Sequence, residues 1–246
     1  MSMAESELFH AALSYVEKVH RLAESKYKET NFKRFLALSE LSRKIRGSMN
    51  AIHFIPYKQY NVLYGPINLL YRSIITDLMT SLIFLLVDDE QIDDFILVDN
   101  LKFVGALESA LNTDIEIRSM FHPDEADDFK RLREKYQVDV FDDLKDCLSS
   151  EKGEPWLKKR GTLVINGIQY KSSPKIMYDI LKSSKEFCGY AYLYKYYREF
   201  SQTEHFSMKG RYMNYKRDFH DKYYNKVLGF IYLGEKHIYE KYVNLI

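Results

Sequence analysis

Residues 67–87 read INLLYRSIITDLMTSLIFLLV, and Arg72 and Asp77 are the only charges in that run. A stretch this apolar either crosses a membrane or is covered by protein on all sides. Each of the two charges would cost roughly 2.5–3.5 kcal/mol near a bilayer centre on insertion scales. The expectation is therefore a buried central helix with other helices packed around it. Only 10 Gly and 5 Pro punctuate 246 residues, which favours long helices over a many-turned β fold. The fold class expected is all-α, a helical bundle with long helices and at most one small β-hairpin insertion.

The remaining helices follow from hydrophobic spacing and from punctuation. Phe9, Leu13, Val16, Val19 and Leu22 recur at helical intervals over 5–28. Asn31 is placed to cap a second helix carrying Phe35, Leu38, Leu41, Ile45 and Ile52. Pro56 and Gly65-Pro66 break the chain, so the central helix is expected to start at Pro66. An acidic run over 88–99 precedes a helix expected to end near 111, carboxylates being favourable at a helix N-terminus. Pro123, followed by Asp124, Glu125, Asp127 and Asp128, repeats that signature and leads to a helix ending near 149.

From 150 to 173 the helical period stops. Leu163-Val164-Ile165 and Ile168-Gln169-Tyr170, joined by Asn166-Gly167, read as a hairpin on a tight turn. Ser173 and Pro174 supply an N-cap and a first-turn proline for a helix through at least Tyr197, and a last helix covers about 218–244. One helical domain over 1–246 is expected, with an N-terminal helical pair over 1–55 and the main bundle over 66–246.

Charge and motifs narrow the function classes. Thirty-six Lys and Arg against 35 Asp and Glu exclude a generally basic coat for nucleic acid but leave a local patch open. No specificity for DNA is readable. Cys147 and Cys188 fit no zinc or redox spacing, and the start MSMAESELFH has no basic leader region, so a cytoplasmic protein with no membrane partner is expected. Glu7 with His10 and Glu17 with His20 have metal-ligand spacing, yet they share one helix about 15 Å apart and cannot hold a common metal pair. No Walker, dinucleotide, zinc-protease or nucleophile-elbow motif is present. No metal and no cofactor are expected.

The best candidate for chemistry is 194–205, YKYYREFSQTEH. Tyr194, Arg198, Ser201 and His205 are spaced by four, three and four, one stripe of a continuous helix. Arg198 offers a planar fork to an anion, and His205 can move a proton near neutral pH, with Ser201 between them. These three are the candidate catalytic residues. Arg72, Asp77, Tyr194 and Tyr197 are the candidate ligand-binding residues, because charges inside an apolar helix either pair structurally or face a cleft. Downstream, Lys209, Arg211, Lys216, Arg217, Lys222 and Lys226 alternate with Tyr212, Tyr215, Tyr223 and Tyr224, a composition suited to single-stranded RNA. A solvated basic face balancing the acidic middle of the chain accounts for the same residues.

Arg72 in the central helix, with Tyr197, Ser201 and His205 in the late Y-x-x-x-S-x-x-x-H, resembles a family of uncharacterised bacterial helical proteins. That family carries an early R-x-x-x-E, and Thr76 stands here where its acid belongs, with Asp77 one residue later. Arg198 with six residues before His205 also resembles the R-x4-6-H signature of the HEPN superfamily of helical bundles. Glu199 here follows the Arg where a polar Asn, Asp or His is common. This second resemblance implies a metal-independent ribonuclease or defence protein in which two subunits join their Arg and His, so that an RNA 2′-hydroxyl attacks the adjacent phosphate. RNA and a second copy of the chain are the partners it implies. The alternative is a non-enzymatic helical module that binds a protein partner or small ligand through its Tyr-rich C-terminal face. Whether the chain is an enzyme stays open at this level.

Overall fold

The computed structural model describes residues 3–55, 60–125, 127–128, 131, 163–202 and 217–243. Helix α1 spans Met3–Thr30, α2 Lys33–Phe54, α3 Tyr60–Phe84 and α4 Ile92–Phe121. After the hairpin of β1 (Val164–Ile165) and β2 (Ile168–Gln169) come α5 Pro174–Ser183, α6 Leu193–Gln202 and α7 Arg217–Val243. The protein is all-α, a helical bundle with one small two-stranded hairpin. The chain forms two compact units, Met1–Ile92 with Val164–Ile246, and Asp93–Leu163.

Within the first unit α3 is the hub, in contact with α2, α5, α6 and α7, while α1 packs on α2 and α7. Ile67, Ile74, Ile75, Leu78, Met79, Leu82 and Ile83 of α3 are wholly buried. Segment Gly65–Phe84 is long and apolar enough to cross a membrane, and 67% of its most apolar window lies inside the protein. Its small polar residues are satisfied by their own helix. Thr76 donates to the Arg72 carbonyl at 3.0 Å, Thr80 to Thr76 at 2.8 Å and Ser81 to Asp77 at 2.9 Å. Such back-bonding lets hydroxyls sit among aliphatic side chains without leaving an open donor.

Several boundaries depart from the sequence expectations. Asn31 does not cap α2. Its φ of 55° makes it the left-handed terminator of α1, its amide donating to the Tyr27 carbonyl at 2.7 Å. Phe32 occupies the N-cap position of α2 with no side-chain cap. Pro66 lies inside α3 rather than at its start; the ring's fixed φ is helical, and only one backbone hydrogen bond is forfeited there. Helix α4 continues to Phe121, because 107–121 contains no Gly or Pro and Asp114 pairs with Arg118 one turn on at 2.8 Å. The helix expected to end near 149 falls mostly outside the described residues.

The hairpin forms as read, with Ile165 opposite Ile168 and Asn166 and Gly167 both at positive φ, 51° and 77°. That pair of angles is the turn whose twist matches two adjoining strands. Ser173 caps α5, its hydroxyl accepting from the Ile176 amide at 3.5 Å. Yet α5 stops at Ser183. The Ser184 hydroxyl accepts from the Phe187 amide at 3.1 Å and starts a separate turn that leads into α6, so two helices replace one. Short hydroxyl side chains compete with the helical ladder in this way.

Candidate functional site

The site begins with how α6 is seated. Leu193, Tyr196 and Phe200 are buried, at the three- and four-residue spacing of one helix face. Phe200 joins Tyr71 of α3 and Tyr224 of α7 in a ring cluster, with Tyr71 stacked on Tyr224 at 4.6 Å and Phe200 within 5.7 Å of both. The Tyr224 hydroxyl donates to Asn68 Oδ1 at 2.7 Å in the interior. Seated this way, α6 carries Tyr194 and Tyr197 half-buried along its edge, with Lys195 and Arg198 exposed.

Arg72 reaches across from α3 to Tyr197, its Nη2 donating to the phenol oxygen at 3.1 Å and its guanidinium carbon lying 5.0 Å from the ring centre. Tyr194 lies parallel to Tyr197 at 6.2 Å (10° between planes), and Tyr178 of α5 lies 5.0 Å from Tyr194. The ammonium groups of Lys175 and Lys182 stand 4.8 and 5.8 Å from the Tyr178 ring centre. Lys175 also pairs with Asp179 at 2.6 Å, and that carboxylate raises its ammonium above the usual lysine range. Three half-exposed rings thus run in a row with cations at both ends. Such a surface can stack planar π systems and neutralise anions.

Of the remaining candidates, the Ser201 hydroxyl donates to the Tyr197 carbonyl at 2.7 Å, which binds it into the same turn. Asp77 is half-buried on α3. His205 lies outside the described residues, as do Lys209, Arg211 and Lys216. Arg72, Tyr197 and Ser201 are therefore together, with Tyr194 beside them and Arg198 on the outer side of the same helix. Among the described residues no three His, Cys, Asp or Glu side chains gather as a metal-binding group.

Three polar features escaped sequence reasoning. Arg34 of α2 donates to the carbonyls of Phe84 and Val87, to Asp89 and to the Tyr242 hydroxyl, closing the C-terminal end of α3. Glu186 accepts from His237 at 2.9 Å and from Lys241 at 3.2 Å. Partial burial pushes its carboxyl up, but those two hydrogen bonds prevail and hold it below the usual range. Glu235 of α7 is wholly buried, and neither of its oxygens has a hydrogen-bond partner. Desolvation alone raises its carboxyl to about 8. A signal for Glu235 was available, since it interrupts the apolar stripe Leu228, Ile231, Ile238, Tyr242. Arg34 had none, its partners being 50 or more residues away. Compared with known proteins, the chain matches no family model, no curated protein and no solved structure.

Proposed function

We propose that the chain is an RNA-binding helical protein that takes a single strand across the ring row Tyr178–Tyr194–Tyr197. The observation that carries the reading is the Arg72–Tyr197 contact, at 3.1 Å to the hydroxyl, which fixes one end of an aromatic row flanked by Lys175, Lys182, Lys195 and Arg198. Unpaired bases stack on such rings whatever their identity, while Arg and Lys meet the phosphates between them. A duplex offers no free base faces and would be bound only through its backbone. The HEPN-like resemblance supports RNA as the strand, and adds Arg198 and His205 as the groups that would act on the phosphate.

The test is fluorescence anisotropy with a labelled single-stranded RNA and its duplex. Each base stacked on a ring is worth about 1–3 kcal/mol, so Tyr194→Ala with Tyr197→Ala should weaken binding by roughly tenfold or more while leaving the helical spectrum intact. Equal affinity in the double variant, or no binding at low salt, rejects this surface and turns the reading to a protein or small-molecule partner. The cleavage step is read separately, by incubating RNA without metal beside Arg198→Ala and His205→Ala. Cleavage that is equal in all three, or absent from all, removes the ribonuclease.

A further inference from the structure

We propose that Glu235 is a proton-controlled latch between α7 and α1: neutral, it lets the two helices close; ionised, it forces them apart. The carboxyl sits where the two helices meet. Tyr232 and Tyr239, three residues before and four after it, both pack against Tyr15 of α1, at 5.3 and 6.2 Å. Ile238 and Tyr242 on the same stripe line an apolar cleft with Val19, Leu22 and Ala23 of α1 and with Phe35 and Leu38 of α2. One residue earlier, Gly234 is pressed on α3, so close that an added Cβ would lie 2.9 Å from Leu78 Cδ1. Helical geometry therefore puts Glu235 on the α1 side, next to the contact with α3.

Among the described residues, nothing hydrogen-bonds the Glu235 carboxyl oxygens. On α1, the Lys18 ammonium lies 4.5 Å over the Tyr15 ring, and His20 is bonded to Ser39 of α2 at 3.1 Å. Arg34 of α2 is committed to the end of α3. Elsewhere around α7, Tyr196 of α6 packs on Tyr223 and Phe230, Tyr190 packs on Phe230 and His237, and Glu186 is paired with His237 and Lys241. None of these shifts the Glu235 carboxyl, on which burial alone acts. The protonated acid can stay in this setting, but the carboxylate cannot without water. Because, among the described residues, α1 makes its main contacts with α2 and α7, separating α1 from α7 admits water without unfolding α3.

The sign follows from linkage. An acid whose proton is held more tightly in the closed form favours opening as pH rises. The opening constant should grow about tenfold per pH unit between its exposed and buried ionisation ranges, and level off above them. Hydrogen exchange on the full chain reads this directly, once intrinsic exchange is corrected. From pH 5.5 to 7.5, amides of α1 and of α7 around Glu235 should lose protection roughly a hundredfold, and those of α5 should not follow. Glu235→Gln should abolish the pH dependence, and Glu235→Met serves as a second, apolar variant that removes any reliance on the folding of the first. The same slope in wild type and variants, no slope in any, or α5 opening in step with α1 would each overturn the latch.

Discussion

Replacing Arg34 tests whether a single side chain holds the end of the central helix. Its guanidinium is bound to Phe84 O at 2.9 Å, to Val87 O, to Asp89 Oδ1 at 2.9 Å and to the Tyr242 hydroxyl at 3.5 Å, with the Phe84 ring 5.2 Å beneath it. Only 12% of the side chain is exposed, whereas Asp89 is 67% exposed. These exposures decide which interaction matters. An ion pair to so open a carboxylate contributes about 0–1 kcal/mol, while hydrogen bonds from a charged donor to buried carbonyls contribute about 1.5–3 kcal/mol. The Phe84 carbonyl receives only a long backbone bond, from the Val87 amide at 3.4 Å, so the Arg34 donor at 2.9 Å is its closer partner. Arg34→Ala should therefore cost about 3 kcal/mol, and Arg34→Lys about 2, since one ammonium cannot span carbonyls that a planar fork reaches together. Asp89→Ala should cost under about 1 kcal/mol. Urea unfolding followed by far-UV circular dichroism gives these values from the shift in midpoint at constant slope. If Asp89→Ala costs as much as Arg34→Ala, the ion pair and not the cap holds this corner. If Arg34→Ala stays within about 0.5 kcal/mol of wild type, the carbonyls have another donor.

Glu235→Leu should stabilise the protein increasingly as pH rises. With the buried carboxyl at about 8 against 4.5 when exposed, wild type gives up about 1.4 kcal/mol per pH unit between those values, or about 3 kcal/mol by pH 7; parallel stability curves for the two proteins over pH 5–8 refute it. Gly234→Ala should destabilise by about 1–3 kcal/mol, because its Cβ would meet the fully buried Leu78, and a melting temperature matching wild type contradicts that packing. Gly167→Ala, at a φ of 77° with open space around it, should cost about 1–2 kcal/mol through backbone strain alone; an unchanged melting temperature shows that the turn has moved.

What the sequence disclosed and what it withheld divide along one physical line. The apolar run of α3, the period of α1 and α2, the Asn166-Gly167 turn and the Ser173 cap are local. Each is decided by side chains within a few positions of one another, and each appears in the structure. The break at Ser184 was local too, but weak, since two serines compete with a helix only when tertiary packing lets them win. The end of α1 at Asn31 shows the same ambiguity, because an Asn in this place can cap a following helix or close the preceding one. Arg34, by contrast, meets carbonyls 50 and 53 residues away, and Arg72 meets a phenol 125 residues away. No window of sequence contains both partners. The candidate site is legible in part because Tyr194, Tyr197, Arg198 and Ser201 share one helix. Its other half, Tyr178 on α5 and Arg72 on α3, depends on how three helices pack. Glu235 lies between these cases. The stripe from Leu228 to Tyr242 marks it as an acid on an inward face, and only the fold shows that no partner awaits it there. A buried acid so placed costs stability that an aliphatic side chain would not. Its presence makes the closure of α1 on α7 conditional on a proton.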